Sequence, residues 1–220
     1  MSLTCLAPTA FLEYDIALEF LFALVTMLVA IYAFKVYKST SQKQIRTFGI
    51  AFSFISLAYL IQAIFSIFAL ATLGELACDQ LALQTVILNT LGFFGHIVFF
   101  ITGLALLVYM SFKTNKIRIL WLLLLTSIIG IFLGQNIYYS FYTFTSIFLL
   151  FLTWRFIENY LKNKQSKSLI IAIAFTMLLI GNLQFLISID NQIFYISGKS
   201  LELVAYMLIM TNFYLIFYRR

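Results

Sequence analysis

Long apolar runs alternate with short polar segments along the chain, and this pattern predicts helices that cross a membrane. A transmembrane helix needs about 20 apolar residues to cross about 30 Å of hydrocarbon. The runs lack the two-residue alternation of an outer-membrane barrel, so strands are not expected. Seven spans are predicted, at residues 14–36, 47–72, 81–111, 117–134, 137–160, 168–189 and 198–218. The expected fold is a single all-α membrane domain over residues 1–220, a bundle of seven transmembrane helices.

The division between the fourth and fifth spans depends on a polar break inside a long uncharged stretch. Residues 119–154 carry no charge, and as one helix they would extend about 54 Å at 1.5 Å per residue. That length is too great for a single crossing. Gly134, Gln135 and Asn136 provide a turn near the middle of the stretch. We therefore expect two short spans arranged as a hairpin.

Basic residues collect in every second connecting segment. The stretch KVYKSTSQKQIR at 35–46 holds four bases and no acid, and further bases lie at 113–118, 162–167 and 219–220. Cytoplasmic segments retain lysine and arginine. The N-terminus is therefore expected outside the cell membrane and the C-terminus in the cytoplasm. Merging the fourth and fifth spans would place the bases of 162–167 outside, which favours seven crossings.

The composition also favours a membrane protein. Hydrophobic residues make up 63% of the chain and charged residues 10%, and the mean hydropathy is +1.03, whereas a soluble domain is about half apolar and a quarter charged. The net charge of +6 belongs to the basic segments on one membrane face, so the expected partner is the lipid bilayer and not nucleic acid. Residues 1–15 lack a basic region and a small-residue cleavage site, so no cleaved signal peptide is expected.

The two cysteines, Cys5 and Cys78, both fall in segments expected outside the membrane. Disulfides persist in such an oxidising compartment, and a bridge here would close a loop of roughly 70 residues, worth up to about 4 kcal/mol in the chain-entropy model. Two unpaired thiols are the alternative, because the sequence does not give the distance between them.

Several polar residues within the spans lie at a similar depth. Each is 16 or 17 residues from the cytoplasmic basic residue of its own helix, or about 25 Å along the helix axis. One interpretation is a ligand-binding pocket open to the outside, because ionisable groups within spans usually face a cavity or one another. The other is the outer membrane interface, where polar groups are normal. The candidate ligand-binding residues are Glu19, Gln62, His96, Gln184 and Glu202.

His96 is the strongest sign of a pocket, because it lies near the middle of the long uncharged run 80–112. Gly92 and Gly95 precede it and permit close approach of another helix. Interhelical hydrogen bonding is the alternative role for His96, as it is for Asn182 and Asn212. No metal site is expected, and no catalytic motif is found, so we expect neither enzyme activity nor a cofactor.

Gly130 and Gly134 form a small-xxx-small pattern in the fourth span. Such a pattern suits close packing within the bundle or against a second copy of the chain. A membrane-protein partner and a homo-oligomer are both compatible with it.

The basic segment between the first two spans carries a resemblance. FKVYK at 34–38, followed by RTFGIAF at 46–52, is similar to segments of small uncharacterised prokaryotic seven-transmembrane proteins. Those proteins resemble the seven-helix sensory region found ahead of some histidine kinases. The likeness covers mainly the first two helices and implies a sensory bundle. We expect this chain to depart from the resemblance in lacking a kinase or cyclase domain, which residues 1–220 do not include.

The first functional hypothesis is a non-enzymatic sensor or accessory subunit with an outward-facing polar pocket. The alternatives are a small-solute transporter and a structural assembly subunit without a ligand. A transporter needs polar residues that continue to the cytoplasmic side, whereas the inner halves of the spans, such as 104–108 and 120–125, are apolar throughout.

Overall fold

The computed structural model describes residues 9–72, 78–112, 116–187 and 192–218, and the elements in these ranges are all α-helices. No strand occurs in the described ranges, so the prediction of an all-α fold is confirmed. The helices are α1 (Thr9–Thr40), α2 (Lys43–Thr72), α3 (Cys78–Ser111), α4 (Ile117–Leu133), α5 (Ile137–Asn163), α6 (Ser166–Ile187) and α7 (Gln192–Tyr218).

Six of these helices are long and apolar enough to cross a membrane, and α4 is a shorter apolar helix of 17 residues. Large apolar side chains cover the outside of the bundle, and Trp121 and Trp154 are 60% and 71% exposed. A surface of this kind requires an apolar surrounding such as lipid. The structure therefore fits a helical multi-pass membrane protein.

Six helices form a ring, and α4 lies outside it. Around the ring, α1 packs on α2 and α7, α3 packs on α2 and α5, and α6 packs on α5 and α7. In the described part of the chain, α4 packs only on α3 and α5. Ser127 and Ile131 are its two buried residues. The interior of the bundle is therefore enclosed by α1, α2, α3, α5, α6 and α7.

The hairpin between α4 and α5 turns at the predicted position. Residues 134–136 separate the two helices, and the side chain of Asn136 caps α5 by accepting a hydrogen bond from the backbone N–H of Tyr138 at 3.0 Å. A side chain at Gly130 would collide with the ring of Phe144 on α5. This glycine therefore serves packing within the bundle.

The basic stretch 35–46 is mostly helical, which differs from the loop that its charge predicted. Only Ser41 and Gln42 separate α1 from α2, and Ser41 takes a left-handed conformation with φ 54°. Lysine near the end of a helix interacts favourably with the helix dipole, and Lys38 lies in the last turn of α1. Charged helix ends can therefore extend beyond the apolar part of the span.

Helix α7 begins at Gln192, six residues before the predicted span, and Gly198 lies inside the helix. A methyl group on Gly198 would lie 2.9 Å from Cε1 of Phe185 and 3.1 Å from the carbonyl oxygen of Gly181, both on α6. Gly198 is therefore required for the close crossing of α6 and α7. This helical start also places Lys199 and Glu202 on α7, less than one turn apart.

Helices α2 and α3 also approach closely, as the glycines before His96 predicted. A methyl group on Gly92 would lie 2.7 Å from Cβ of Phe65, and one on Gly95 would lie 2.8 Å from Cγ2 of Ile61. The choice between a Cys5–Cys78 bridge and two unpaired thiols falls outside the described residues, because Cys5 precedes them and only the backbone of Cys78 is described.

Candidate functional site

A polar cavity of about 190 Å³ lies inside the ring, toward the end of the bundle where α1, α5 and α7 begin and α6 ends. Every helix of the ring contributes to it, and α4 does not. The lining residues are Asp15, Glu19, Tyr59, Gln62, Phe93, His96, Phe100, Tyr138, Phe141, Tyr142, Asn182, Phe185, Tyr195, Lys199 and Glu202. The cavity is smaller than the roughly 300–1,000 Å³ typical of sites for drug-sized ligands, so it suits a small molecule.

Four of the five predicted site residues line this one cavity: Glu19, Gln62, His96 and Glu202. Gln184 is not among the lining residues. Its Oε1 accepts a hydrogen bond from Ser197 Oγ at 2.8 Å, which joins α6 to α7. Four of the residues that the sequence predicted at a common depth therefore share one cavity. The fifth, Gln184, forms a contact between helices instead.

Lys199 and Asp15 form an ion pair in the cavity that the sequence analysis did not anticipate. Nζ of Lys199 lies 3.2 Å from Oδ1 of Asp15, and Tyr195 donates its hydroxyl to the same oxygen at 2.7 Å. Lys199 is only 8% exposed. The signal available in the sequence was spacing, because Asp15 and Glu19 are four residues apart and Lys199 and Glu202 are three apart, which places each pair on one helix face.

The Glu202 carboxylate is held by two tyrosine hydroxyls. Tyr59 of α2 donates to Oε1, and Tyr206 donates to the same atom at 3.4 Å. The two hydroxyl oxygens lie 3.1 Å apart. Both tyrosines are almost fully buried, with exposures of 3% and 1%. Glu202 therefore links α2 to α7 at the base of the cavity.

Glu19 is the most buried carboxylate of the site, with 4% exposure. Ser66 of α2 donates its hydroxyl to Oε2 at 3.3 Å. Among the described residues, neither Glu19 nor Glu202 forms an ion pair. Their hydrogen-bond donors are hydroxyl groups without formal charge.

Two polar atoms of the cavity residues are buried without a hydrogen-bond partner in the described part of the chain. They are Oε1 of Gln62 and Nδ1 of His96. The Asn182 amide, in contrast, donates to the backbone oxygen of Tyr142 at 2.9 Å and to Ser146 Oγ at 2.6 Å. It has the interhelical role that the sequence analysis gave as an alternative to a ligand contact.

Aromatic rings form most of the remaining wall. Eight of the lining residues are phenylalanine or tyrosine. The His96 ring lies 5.2 Å from the ring centroids of both Tyr59 and Phe100, and Phe93, Tyr138 and Tyr142 form a continuous contact series. The cavity thus combines clustered carboxylates with aromatic faces.

Apolar packing closes the bundle below the cavity. The space there is a second cavity of only about 20 Å³, lined mainly by apolar side chains. Phe52, Ile55, Leu104 and Leu107 belong to this lining, and each is at most 2% exposed. The polar cavity therefore has a mainly apolar floor.

A third cavity, of about 230 Å³, lies at the opposite, basic end of the bundle. Arg155 of α5 donates to the backbone oxygen of Ser111, the last residue of α3, at 3.1 Å. It also pairs with Glu158 at 2.8 Å. A cation at a helix C-terminus stabilises the helix, so a structural role accounts for this cluster.

No group of three histidine, cysteine, aspartate or glutamate residues in the described ranges is placed to hold a metal ion. Comparison of the chain with models of protein families, with curated proteins and with solved structures gives no match. The arrangement of the cavity is therefore the main guide to function.

Proposed function

We propose that this protein is a non-enzymatic sensor or accessory subunit of the cell membrane that binds a small molecule in the polar cavity. The chain crosses the membrane seven times, with the N-terminus outside and the cavity facing outward. Helix α4, at about 26 Å for 17 residues, is slightly shorter than the hydrocarbon layer. Local thinning of the bilayer accommodates such a helix at modest cost.

The observation that supports the proposal best is that all six helices of the ring line one cavity. A ligand there makes contacts that depend on the relative positions of these helices. A ligand shifts a conformational equilibrium by its difference in affinity between two states. Ligand binding at the outer side thereby changes the relative positions of the helices at the basic end. A membrane partner can detect this change.

The mainly apolar floor of the cavity favours sensing over transport. A transported solute needs a route to the opposite side, and Phe52, Ile55, Leu104 and Leu107 occupy that route in this conformation. Uptake of a cavity ligand into protein-containing liposomes, above the level in empty liposomes, would instead favour transport over sensing.

The proposal is tested by thermal unfolding of the purified protein in lipid nanodiscs against a library of small metabolites. Compounds that raise the unfolding midpoint are tested again on Glu19→Gln, His96→Leu and Glu202→Gln. We expect these cavity variants to lose the shift, because each removes a polar group of the lining. Lys162→Met is the control, since Lys162 is exposed at the opposite end.

Two results would count against a ligand-binding role. One is a library in which no compound raises the unfolding midpoint. The other is a shift that persists undiminished in all three cavity variants, because the compound then binds elsewhere.

A further inference from the structure

We infer that the ligand of the cavity is a small organic ammonium ion, held by carboxylates against aromatic rings. This inference rests on the proposed ligand-binding function and names the chemical class of the ligand. It follows from three features of the cavity: its formal charge, its unpaired polar atoms and its walls.

The formal charges of the cavity favour a cation. Three lining residues carry carboxyl groups, and Lys199 is the single lysine or arginine among the lining residues. Its ammonium pairs with Asp15 at 3.2 Å, so Glu19 and Glu202 lack an ion-pair partner among the described residues. Buried charges in proteins are normally paired. An added cation would supply that partner, whereas an added anion would meet further repulsion.

The unpaired atoms also favour a ligand that donates hydrogen bonds. Oε1 of Gln62 is a hydrogen-bond acceptor, and it is buried without a donor among the described residues. Nδ1 of His96 is in the same situation, and an imidazole nitrogen can accept a hydrogen bond. An alkylammonium group carries three donors and no acceptor. It therefore matches the carboxylates and these two atoms together.

The side chain of Lys199 already shows how the protein accommodates such a group. Its Nζ lies 5.5 Å from the ring centroids of both Phe22 and Tyr195, besides its contact with Asp15. Cations within about 6 Å of an aromatic face are attracted by the ring quadrupole. Deeper in the cavity a carboxylate again meets aromatic side chains, because Glu202 accepts hydrogen bonds from the hydroxyls of Tyr59 and Tyr206.

The inference is tested with ligands that share a skeleton and differ in charge. Wild-type protein in lipid nanodiscs is titrated calorimetrically with phenethylamine, 2-phenylethanol and phenylacetate, and butylamine is compared with butyrate as an aliphatic pair. Empty nanodiscs correct for partition into lipid. We expect the two amines to bind and to bind at least about tenfold more tightly than their neutral or anionic counterparts, because charge-assisted hydrogen bonds are the stronger ones.

Two conservative variants test whether the named groups carry this preference. Glu202→Gln keeps the shape of the side chain and should weaken amine binding about tenfold. Lys199→Met removes the resident ammonium and frees Asp15, so it should strengthen amine binding. Lys162→Met, at the basic end, should leave it unchanged.

Tighter binding of phenylacetate than of phenethylamine, or loss of amine binding in Lys199→Met, would overturn the cation assignment. So would the absence of amine binding to the wild type, a comparison that does not depend on any variant folding. If the metabolite library still gives cavity-dependent hits under those conditions, the proposed ligand-binding function stands and only the ligand class is wrong. If the library fails as well, both proposals fail.

Discussion

At the scale of single residues, the cavity is distinguished by how its charges are compensated. The Asp15–Lys199 pair joins α1 to α7, with side chains that are 24% and 11% exposed. The Glu158–Lys162 pair at the other end lies within α5, with side chains that are 34% and 70% exposed. Exposed pairs contribute little to stability, whereas removing one partner of a buried pair leaves an uncompensated charge. We therefore expect loss of one partner to destabilise the protein more at the Asp15–Lys199 pair than at the Glu158–Lys162 pair.

We expect Asp15→Asn and Lys199→Met each to lower the free energy of unfolding by about 1–3 kcal/mol, and the double variant to lose less than the sum of the two. The measurement is reversible unfolding in mixed micelles, analysed as a double-mutant cycle. Glu158→Gln and Lys162→Met provide the control cycle, with an expected coupling of about 0.3–0.5 kcal/mol. Additive effects at Asp15 and Lys199 would contradict the assigned pairing.

At the scale of helices, the position of the site depends on the close crossing of α6 and α7. Gly198 and Gly181 allow the two backbones to approach, and Phe185 covers the crossing from α6. Lys199 and Glu202 follow Gly198 on α7, so their positions in the cavity depend on this contact. Gly49 of α2 offers a comparison, because the nearest neighbours of an added methyl group there belong to the ring of Phe34.

Gly198→Ala should lower the free energy of unfolding by about 1–3 kcal/mol, because the new methyl group forces the two helices apart. Gly49→Ala should be neutral or stabilising by up to about 1 kcal/mol, because alanine favours the helix and Phe34, at 38% exposure, can move away. Thermal unfolding in the same detergent compares the two. Equal stability of Gly198→Ala and the wild type would show that the crossing tolerates a larger separation.

At the scale of the whole molecule, the hairpin of α4 and α5 determines on which side later segments lie. A crossing by α4 places Gln135 outside and returns the chain through α5 to the cytoplasm. If α4 does not cross, Gln135 stays on the cytoplasmic side and Ser166 lies outside. The basic residues at 113–118, before α4, and at 162–167, between α5 and α6, favour the first arrangement, because it places both segments on the cytoplasmic side.

Cysteine labelling in intact cells tests the seven crossings. In a background of Cys5→Ser and Cys78→Ser, a membrane-impermeant maleimide should label Gln135→Cys and should not label Ser41→Cys or Ser166→Cys. Permeabilised cells provide the control that all three cysteines are reactive. Labelling of Ser166→Cys from outside, with Gln135→Cys protected, would mean that α4 does not cross.

The sequence predicted the helices well because span length and charge are local properties. It also placed Glu19, Gln62, His96 and Glu202 at one depth, because the helical rise per residue is constant. It did not predict which face of its helix each residue occupies, and Gln184, at the same depth, contacts Ser197 instead.

Asp15 and Lys199 were missed for a related reason. Each is the second residue of a predicted span, at 14–36 and 198–218, and charged or polar groups are normal where a span begins at the membrane interface. Only the packing of α7 on α6 and α1 brings their charges together. The aromatic wall was not predictable either, because aromatic residues make up 18% of the whole chain and those of the cavity follow no separate pattern.

The position of Glu202 has a mechanical consequence. This carboxylate lines both the polar cavity and the small apolar cavity beneath it, and one of its oxygens accepts from Tyr59 and Tyr206. A guest that donates a hydrogen bond to that oxygen competes with the tyrosines for it. Release of Tyr59 would break the side-chain link between α2 and α7 at the level where the apolar packing begins. Binding in the polar cavity would then alter side-chain packing toward the basic end of the bundle.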